Sequence, residues 1–366
     1  MFRVFVINPG STSTKLAMFV DDENVWEKKV FHDSHDLECF GCINDQLDYR
    51  FEMIKNILKE ESIDIENVDA IVGRGGGSAT VVSGVFEVNE KLVKDSHDLV
   101  GGIEHSSMLG VQLAWKFRDI VPCRIFMLDP INVDEYSDIA RMTGIKGVYR
   151  TPSSHTLNQK GVAMKYAKSI GKRYDELNLI VAHIDGGITI GAHCLGKMID
   201  GNSGAGGDGP FTPSRIGSVN IVDFIDYAKD KDLAEIKHLC NIGGGFTSLL
   251  GTNDADEVMA RIENGDTAAK RAWDAMVYQI AKYIGSMAAV MYGKVDRILL
   301  TGGLLRFQCI IDEIEKRCGW IAPITVYPGE VEMEAMASGA LRVLTGKEEP
   351  KIYDGKPVFT GFDDEK

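Results

Sequence analysis

No stretch of the 366-residue chain approaches the roughly 18 consecutive apolar residues of a membrane span. The opening Met1-Phe-Arg-Val-Phe-Val-Ile-Asn-Pro-Gly10 has neither a long apolar h-region nor an A-x-A-like cleavage site. Cysteine is sparse and odd in number, seven in all, which does not suit a disulfide framework. The lone close pair, Cys39-Phe-Gly-Cys42, lacks a second pair to complete a zinc site and reads as reduced, structural or incidental. Positive charge is also short: 40 Lys and Arg against 54 Asp and Glu leave a net charge of −14, with no basic stripe. That balance argues against nucleic acid and against an anionic membrane surface as partners. The expectation from these absences is a cytoplasmic protein.

What is present is an ordinary globular balance, 44% hydrophobic and 26% charged. At about 150 residues per domain the length suggests two domains, each able to bury its own core. Glycine is abundant, 39 residues, and it clusters, which points to backbone turns with a function. Apolar runs bounded by glycine alternate with helical periodicity, an α/β pattern. Strands are expected at 2–7, 16–20, 68–72, 124–128, 179–184, 188–194 and 297–301. Helices are expected at 46–60, 104–118, 156–170, 254–264, 269–292 and 331–345. Val68-Asp-Ala-Ile-Val-Gly-Arg-Gly75-Gly76 lines up with Val295-Asp-Arg-Ile-Leu-Leu-Thr-Gly302-Gly303. In each half a strand–turn–strand segment, Val4–Val20 or Ile180–Leu195, precedes that strand, so a duplicated domain is expected.

The turn Asn8-Pro-Gly-Ser-Thr-Ser-Thr-Lys15 offers small hydroxyl residues, Gly10 and a lysine. It reads equally as an anion-binding nest or as a polar hairpin loop, and it is not a Walker loop. His183-Ile-Asp-Gly-Gly-Ile-Thr189 puts an imidazole, a carboxylate and two glycines at a hairpin tip. A flexible linker would account for the glycines of Gly201–Gly209, but not for the Phe211 and Arg215 that follow. No glycine cluster fits the dinucleotide fingerprint. Arg74, between glycines at the end of an apolar strand, suits bidentate recognition of carboxylate or phosphate, with a structural ion pair as the competing reading. Asp129 also ends an apolar strand, as a magnesium-organising carboxylate or a turn former would. His155, by itself, reads more as a surface or core histidine than as a ligand contact. Glu330 opens the last helix and could simply complement its dipole. Anion-binding turns, two arginines, one histidine and scattered acids together suit phosphoryl transfer, where positioning and charge neutralisation dominate.

Asn8–Lys15, Arg74-Gly-Gly, Leu128-Asp-Pro, Val133-Asp-Glu135, His155-x-Leu-Asn-Gln-Lys160, Gly207-Asp-Gly-Pro-Phe-Thr-Pro213, Leu250-Gly-Thr-Asn-Asp254, Thr301-Gly-Gly and Tyr327-Pro-Gly-Glu330, in this order, resemble the butyrate kinases. These belong with acetate kinase to the superfamily of sugar kinases, actin and heat-shock chaperones. The resemblance runs from residue 2 to about residue 345. It implies two duplicated actin-like ATPase (ribonuclease H-like) domains, 1–130 and 131–330, each with a mixed five-stranded sheet and a ligand cleft between them. A final helix, about 331–346, would pack back on the first domain.

The resemblance also implies reversible transfer of phosphate between ATP and butyrate, giving butyryl phosphate and ADP, with Mg²⁺. Asn8 would address the transferred phosphoryl group, and Ser11, Thr12 and Lys15 the nucleotide phosphates. Arg74, Arg215 and Gly75 would hold the carboxylate and phosphoryl oxygens. His155 would steady the phosphoryl group in flight. Asn8, Asp129 and Glu330 would organise Mg²⁺. Gly186, Gly187, Thr301, Gly302 and Gly303 would line the nucleotide, with Asp254 near the ribose. A homodimer or larger homo-oligomer is implied as well. In the turn that relatives write His-Leu-Gly-Gly-Gly or His-Met-Gly-Gly-Gly, this chain carries Asp185, a carboxylate where phosphates are expected. That substitution keeps open a catalytically silent actin-like nucleotide-binding protein. Isobutyrate, propionate or acetate remain alternatives to butyrate.

Overall fold

In the computed structural model, which describes residues 1–33, 36–37, 39–102 and 104–363, the chain divides into two compact units. One is Met1–Asp134 with Val331–Lys366, the other Glu135–Glu330. In the first unit the N-terminal apolar runs fold as an antiparallel meander of β1 (Arg3–Pro9), β2 (Ser13–Val20) and β3 (Glu23–Phe31). β4 (Ala70–Arg74) pairs in parallel with β1, and β6 (Arg124–Leu128) in parallel with β4. β5 (Val85–Glu87) then pairs antiparallel with β6, and the short β14 (Lys351–Ile352) closes that edge.

This sheet is therefore seven-stranded, in the order β14-β5-β6-β4-β1-β2-β3, and corrects the expectation of five strands. The added strands are too short to show as apolar runs in the sequence. β3 was also invisible there, because an edge strand reading Glu-Asn-Val-Trp-Glu-Lys-Lys-Val-Phe is mostly exposed. Charge on an edge strand blocks pairing with other chains. The central strands are near-continuous apolar runs because helices cover both faces, as is usual for parallel pairs.

Alternation along β6 assigns those faces. Ile125 and Met127 join the core with Phe5, Ile7, Phe51, Ile54, Leu109 and Leu113, residues of β1 and of the helices Leu47–Glu60 and Met108–Lys116. Leu128 faces the other way and meets Gly339 of the helix Glu332–Leu344, which packs across β1, β4 and β6.

The second unit repeats the arrangement. β9 (Asn178–Ile184), β10 (Ile188–Cys194) and β11 (Lys197–Gly201) form the antiparallel meander. β12 (Arg297–Gly302) pairs in parallel with β9, and β13 (Ile324–Pro328) in parallel with β12. The order β11-β10-β9-β12-β13 matches β3-β2-β1-β4-β6 in both sequence and sense. A small hairpin of β7 (Met142–Ile145) and β8 (Val148–Tyr149) stands apart from the sheet. The long helix Thr267–Val290 lays Trp273, Met276, Val277, Ile280 and Ile284 on the sheet core. Asp254 and Asp266 cap the helices Ala255–Glu263 and Thr267–Val290. Among the described residues, no helix is long and apolar enough to cross a membrane.

One close approach sets the position of β4. A Cβ on Gly110, in the helix Met108–Lys116, would lie 2.1 Å from the carbonyl oxygen of Arg74, and one on Gly73 would lie 2.2 Å from the carbonyl oxygen of Gly110. Helix and strand thus touch backbone to backbone where Arg74 leaves the sheet. Gly110→Ala should cost about 1–3 kcal/mol by overpacking and lower the melting temperature. Gly285→Ala, in a helix with nothing within 4 Å of the added Cβ, should instead stabilise by about 0.5–1 kcal/mol. Thermal melts of both variants against the parent check the contrast.

Candidate active site

The chemistry-bearing residues of the first unit gather at the carboxyl ends of β1 and β4. The parallel register pairs Ile7 with Gly73, which sets the next residues, Asn8 and Arg74, side by side. Arg74 Nη1 donates to Asn8 Oδ1 at 3.2 Å and to Glu332 Oε2 at 2.8 Å, and Asn8 Nδ2 donates to the same Glu332 oxygen at 2.8 Å. Glu332 stands in the first turn of the last helix, and its ion pair with Arg74 is buried, 2% and 11% exposed respectively. The sequence reading named Glu330 for Mg²⁺ and did not single out Glu332. The available signal was the amphipathic spacing of the helix, which places Glu332 on the buried side with Met336 and Gly339. Arg74 Nε and Nη2 have no hydrogen-bond partner among the described residues, so the guanidinium keeps donors for a further anion.

The turn after Asn8 is tighter than expected. Asn8 and Lys15 are cross-strand partners, as are Pro9 and Thr14, which leaves Gly10, Ser11, Thr12 and Ser13 between the last paired residues. Gly10 N–H donates to Ser13 O at 2.7 Å. Beneath the turn lies Arg50, only 1% exposed, whose guanidinium donates to the carbonyls of Gly10 and Ser11, to Thr14 Oγ1 and to Gln46 Oε1. Its burial lowers its pKa to about 10. Arg50 is a residue that sequence reasoning did not single out, since an arginine within helical periodicity carries no distinguishing pattern.

Asp129 is buried and adopts a positive φ of 37°. Its Oδ1 accepts from Ser83 Oγ at 2.7 Å and from Gly84 N–H at 2.8 Å, so the carboxylate closes the loop between β4 and β5. Gly75 is fixed by crowding, because a Cβ there would lie 2.2 Å from Met127 Sδ.

In the second unit the equivalent strand ends carry His183 on β9 and Thr301 on β12, paired in register. Thr301 Oγ1 donates to Gly329 O, and Asn158 Nδ2 donates to Thr301 Oγ1 at 3.1 Å and to His183 Nδ1 at 2.8 Å. The His155 ring stacks on His183, with centroids 3.9 Å apart and planes 14° off parallel. Arg215 completes the cluster. A Cβ on Gly187 would lie 2.7 Å from Arg215 Nη1 and 2.9 Å from His155 Cε1, so guanidinium and imidazole face one point that only glycine leaves open. Arg215 donates to the carbonyls of Gly204 and Asn241 and has no carboxylate partner among the described residues. Burial lowers its pKa.

Asp185, the residue in question from the sequence, takes up backbone donors. Its Oδ1 accepts from Gly186 N–H at 2.8 Å and its Oδ2 from Gly303 N–H at 2.7 Å. Gly302, at φ 111°, brings the chain so close to β9 that a Cβ would lie 2.2 Å from Ile184 O. Gly186, Gly187, Thr301, Gly302 and Gly303 therefore do come together. Asp254 is used as a helix cap, its Oδ1 accepting from the Asp256 and Glu257 N–H groups.

A scan against family models matches residues 138–312 to the acetokinase family. The "Butyrate kinase 2" of Clostridium acetobutylicum is 44% identical over 358 residues, covering 96% of this chain and 99% of the relative. The "Probable butyrate kinase" of Clostridium botulinum (strain Alaska E43 / Type E3) is 42% identical over 354 residues, with the same coverage. The chain belongs to the acetokinase family. Among solved structures it resembles acetate kinase from Porphyromonas gingivalis, with a TM-score of 0.76 at 19% identity, covering 94% of this chain and all of that one. A propionate kinase from Francisella tularensis gives a TM-score of 0.75 at 19% identity, covering 93% and 99%. These likenesses, with the repeated sheets, establish the actin-like ATPase fold.

Two places in this acetokinase fit a hard divalent cation. Glu332 Oε1 is buried with no hydrogen-bond partner, an oxygen donor beside Asn8. His183, Asp185 and Glu330 offer ligand atoms within 4.8 Å of one another. In the second group the carboxylates are the better magnesium donors, since Mg²⁺ prefers oxygen. Asn158 already donates to His183 Nδ1, which leaves the proton on Nε2.

Two buried histidines make the stability pH-dependent. Burial, reinforced by the Arg50 charge, lowers the His32 pKa from 6.5 to about 4. His193, packed against Tyr174 and close to the Lys160–Glu135 ion pair, is lowered to about 3 by burial and then by the Lys160 charge. Folded pKa values below the unfolded value mean that the unfolded chain binds more protons. The contribution is therefore complete above about pH 6.5 and shrinks as the pH falls toward the folded values, by up to about 1.4 kcal/mol per pH unit per histidine. Urea midpoints at pH 7.5, 6 and 5 should fall steadily, and His193→Gln should flatten the dependence.

Proposed function

We propose that the chain is a short-chain fatty-acid kinase that transfers phosphate reversibly between ATP and butyrate, giving butyryl phosphate and ADP. The observation that carries this reading is the convergence of Arg215 and His155 on Gly187, a half-buried guanidinium with no carboxylate partner among the described residues beside an imidazole. Such a cluster binds an anion, and in phosphoryl transfer it stabilises the charge on the equatorial oxygens.

The acceptor carboxylate is ionised at pH 7 and needs no general base. Its oxygen forms the new bond to the γ-phosphorus while the bond to the β–γ bridging oxygen breaks, and ADP leaves with that electron pair. What the chain must supply is relief of repulsion between anions. In the first unit that task falls to Arg74, through Nε and Nη2, with Asn8 alongside. In the second it falls to Arg215 and His155, with Gly186, Gly187 and Gly303 presenting backbone N–H groups to the nucleotide phosphates. Mg²⁺, when bound, would neutralise phosphate charge, and the carboxylates suited to hold it are Glu332 in the first unit, or Asp185 with Glu330 in the second. Assembly into a homodimer or larger homo-oligomer belongs to the same reading and is measured by light scattering.

A hydroxamate trap assay with Mg-ATP and formate, acetate, propionate, butyrate, isobutyrate and valerate tests the reaction and its acyl range together. The expected signal peaks at butyrate. Arg74→Ala should lower turnover by about 10²–10³-fold or more, as loss of a charged donor at a developing anion does. Turnover in that variant at the parent level would end the assignment.

Asp185 occupies two of the donors assigned to the phosphates. Asp185→Gly should therefore tighten binding of metal-free ADP by about tenfold or more, a gain of about 1.4 kcal/mol in calorimetry. Weaker binding with and without Mg²⁺ would instead show that the carboxylate assists the nucleotide.

A further inference from the structure

We infer that Tyr174, His193, Gln159 and Thr189 form a one-directional hydrogen-bond chain that holds His155 as the neutral tautomer with its proton on Nε2. The inference rests on the reading of His155 as a donor to the transferred phosphoryl group, and it adds positioning residues that act through it.

The direction of each link follows from the one before. Gln159 Nε2 lies 3.2 Å from the carbonyl oxygen of Thr189 and 2.8 Å from Thr189 Oγ1. A carbonyl oxygen only accepts, so the amide nitrogen must face it and the amide orientation is fixed. Gln159 Oε1 then faces His193 Nε2 at 2.9 Å, which makes that ring nitrogen the donor. His193 Nδ1 must therefore accept, and Tyr174 Oη, at 2.6 Å, donates to it. The burial that keeps the His193 pKa far below neutral preserves this polarity.

At the other end, Thr189 Oγ1 accepts from Gln159 Nε2 and, more weakly, from the His155 backbone N–H at 3.4 Å. With those acceptor positions filled, its own proton points at its remaining partner, His155 Nδ1, at 3.0 Å. His155 Nδ1 is an acceptor, so Nε2 carries the proton. A Cβ on Gly187 would lie 3.2 Å from that Nε2 and 2.7 Å from Arg215 Nη1. Both nitrogens thus lie beside Gly187. The opposite tautomer would aim a lone pair there and repel a phosphoryl oxygen.

The cost of burying so many polar groups supports a positional role. Gln159, Thr189 and His193 are all fully buried, and a core made of apolar residues would not carry that desolvation. A partly formed chain would be worse than none.

The tautomer is read from two-bond ¹H–¹⁵N spectra of protein labelled at histidine, with His155→Asn identifying the His155 signals. The parent should show His155 protonated at Nε2 and not at Nδ1. Thr189→Val keeps the side-chain shape and leaves Gln159 its bond to the backbone carbonyl, so the fold should survive. It should leave His155 in mixed tautomers and lower kcat by about 10- to 100-fold, the size expected of a misplaced group, with KM for the carboxylate little changed. Thr189→Ser restores the hydroxyl and should restore both the tautomer and kcat. A role in packing alone predicts the reverse order, with the serine variant the worse of the two. His155 protonated at Nδ1 in the parent, or Thr189→Val with parental tautomer and kcat, overturns the inference. A shifted tautomer with unchanged kcat leaves the hydrogen-bond chain standing and defeats the reading of His155 as a donor to the phosphoryl group.

Discussion

Parallel pairing at the centre of each sheet makes two strands end at the same edge, and the chemistry of both units hangs from that edge. β1 and β4 deliver Asn8 beside Arg74, while β9 and β12 deliver His183 beside Thr301. Ligands of open α/β sheets bind outside the carboxyl ends of the strands for this reason, since the side chains beyond the last ladder bond are the ones not committed to a core. The glycines that follow are a consequence. Where two chains leave a sheet together, backbone passes close to backbone, as Gly302 does against Ile184 and Gly73 against Gly110. A side chain at either place would push apart the strands whose register aligns the site. The register also depends on the antiparallel meander beside each pair, which anchors β1 and β9 from their other edge.

Much of this was legible in the sequence because the duplication left a mark in both halves. The repeated Val-Asp-x-Ile runs are β4 and β12, and the paired hairpins before them are β1–β2 and β9–β10. Central strands buried on both faces read as apolar runs, so their positions and those of the long helices followed from periodicity. What stayed hidden were elements whose partners lie far away in sequence. β3 is exposed and charged, β5 and β14 are very short, and nothing local distinguishes them from loops. The site followed the same rule. Arg74, His155 and Arg215 belong to motifs of known order, whereas Glu332 and Arg50 matter through contacts with residues distant along the chain, Asn8 and Gly10 among them. Glu332 shows the limit, because only the packed face of the last helix distinguishes it in the sequence. Gln159 and Thr189 read as ordinary polar residues in sequence, and their role depends on hydrogen-bond direction, which spacing does not encode.

Each unit also carries an internal carboxylate where an anion is wanted. Glu332 holds Arg74 and Asn8 from the buried side, and Asp185 holds the Gly186 and Gly303 N–H groups. Donors aimed at nothing would be costly to bury and would turn to nearby carbonyls or to water. A carboxylate already in place keeps them oriented before substrate arrives, which is the preorganisation on which electrostatic catalysis depends. The two carboxylates differ in consequence. Glu332 leaves Arg74 Nε and Nη2 open, so a substrate anion can be added to the existing pair. Asp185 fills the backbone donors themselves, so an incoming phosphate must displace it or share it through a cation. Arg215 has neither arrangement: among the described residues, its charge is compensated by carbonyl dipoles alone. Its charge therefore stays available to an anion, and it stands where the His155 ring also packs against Gly187.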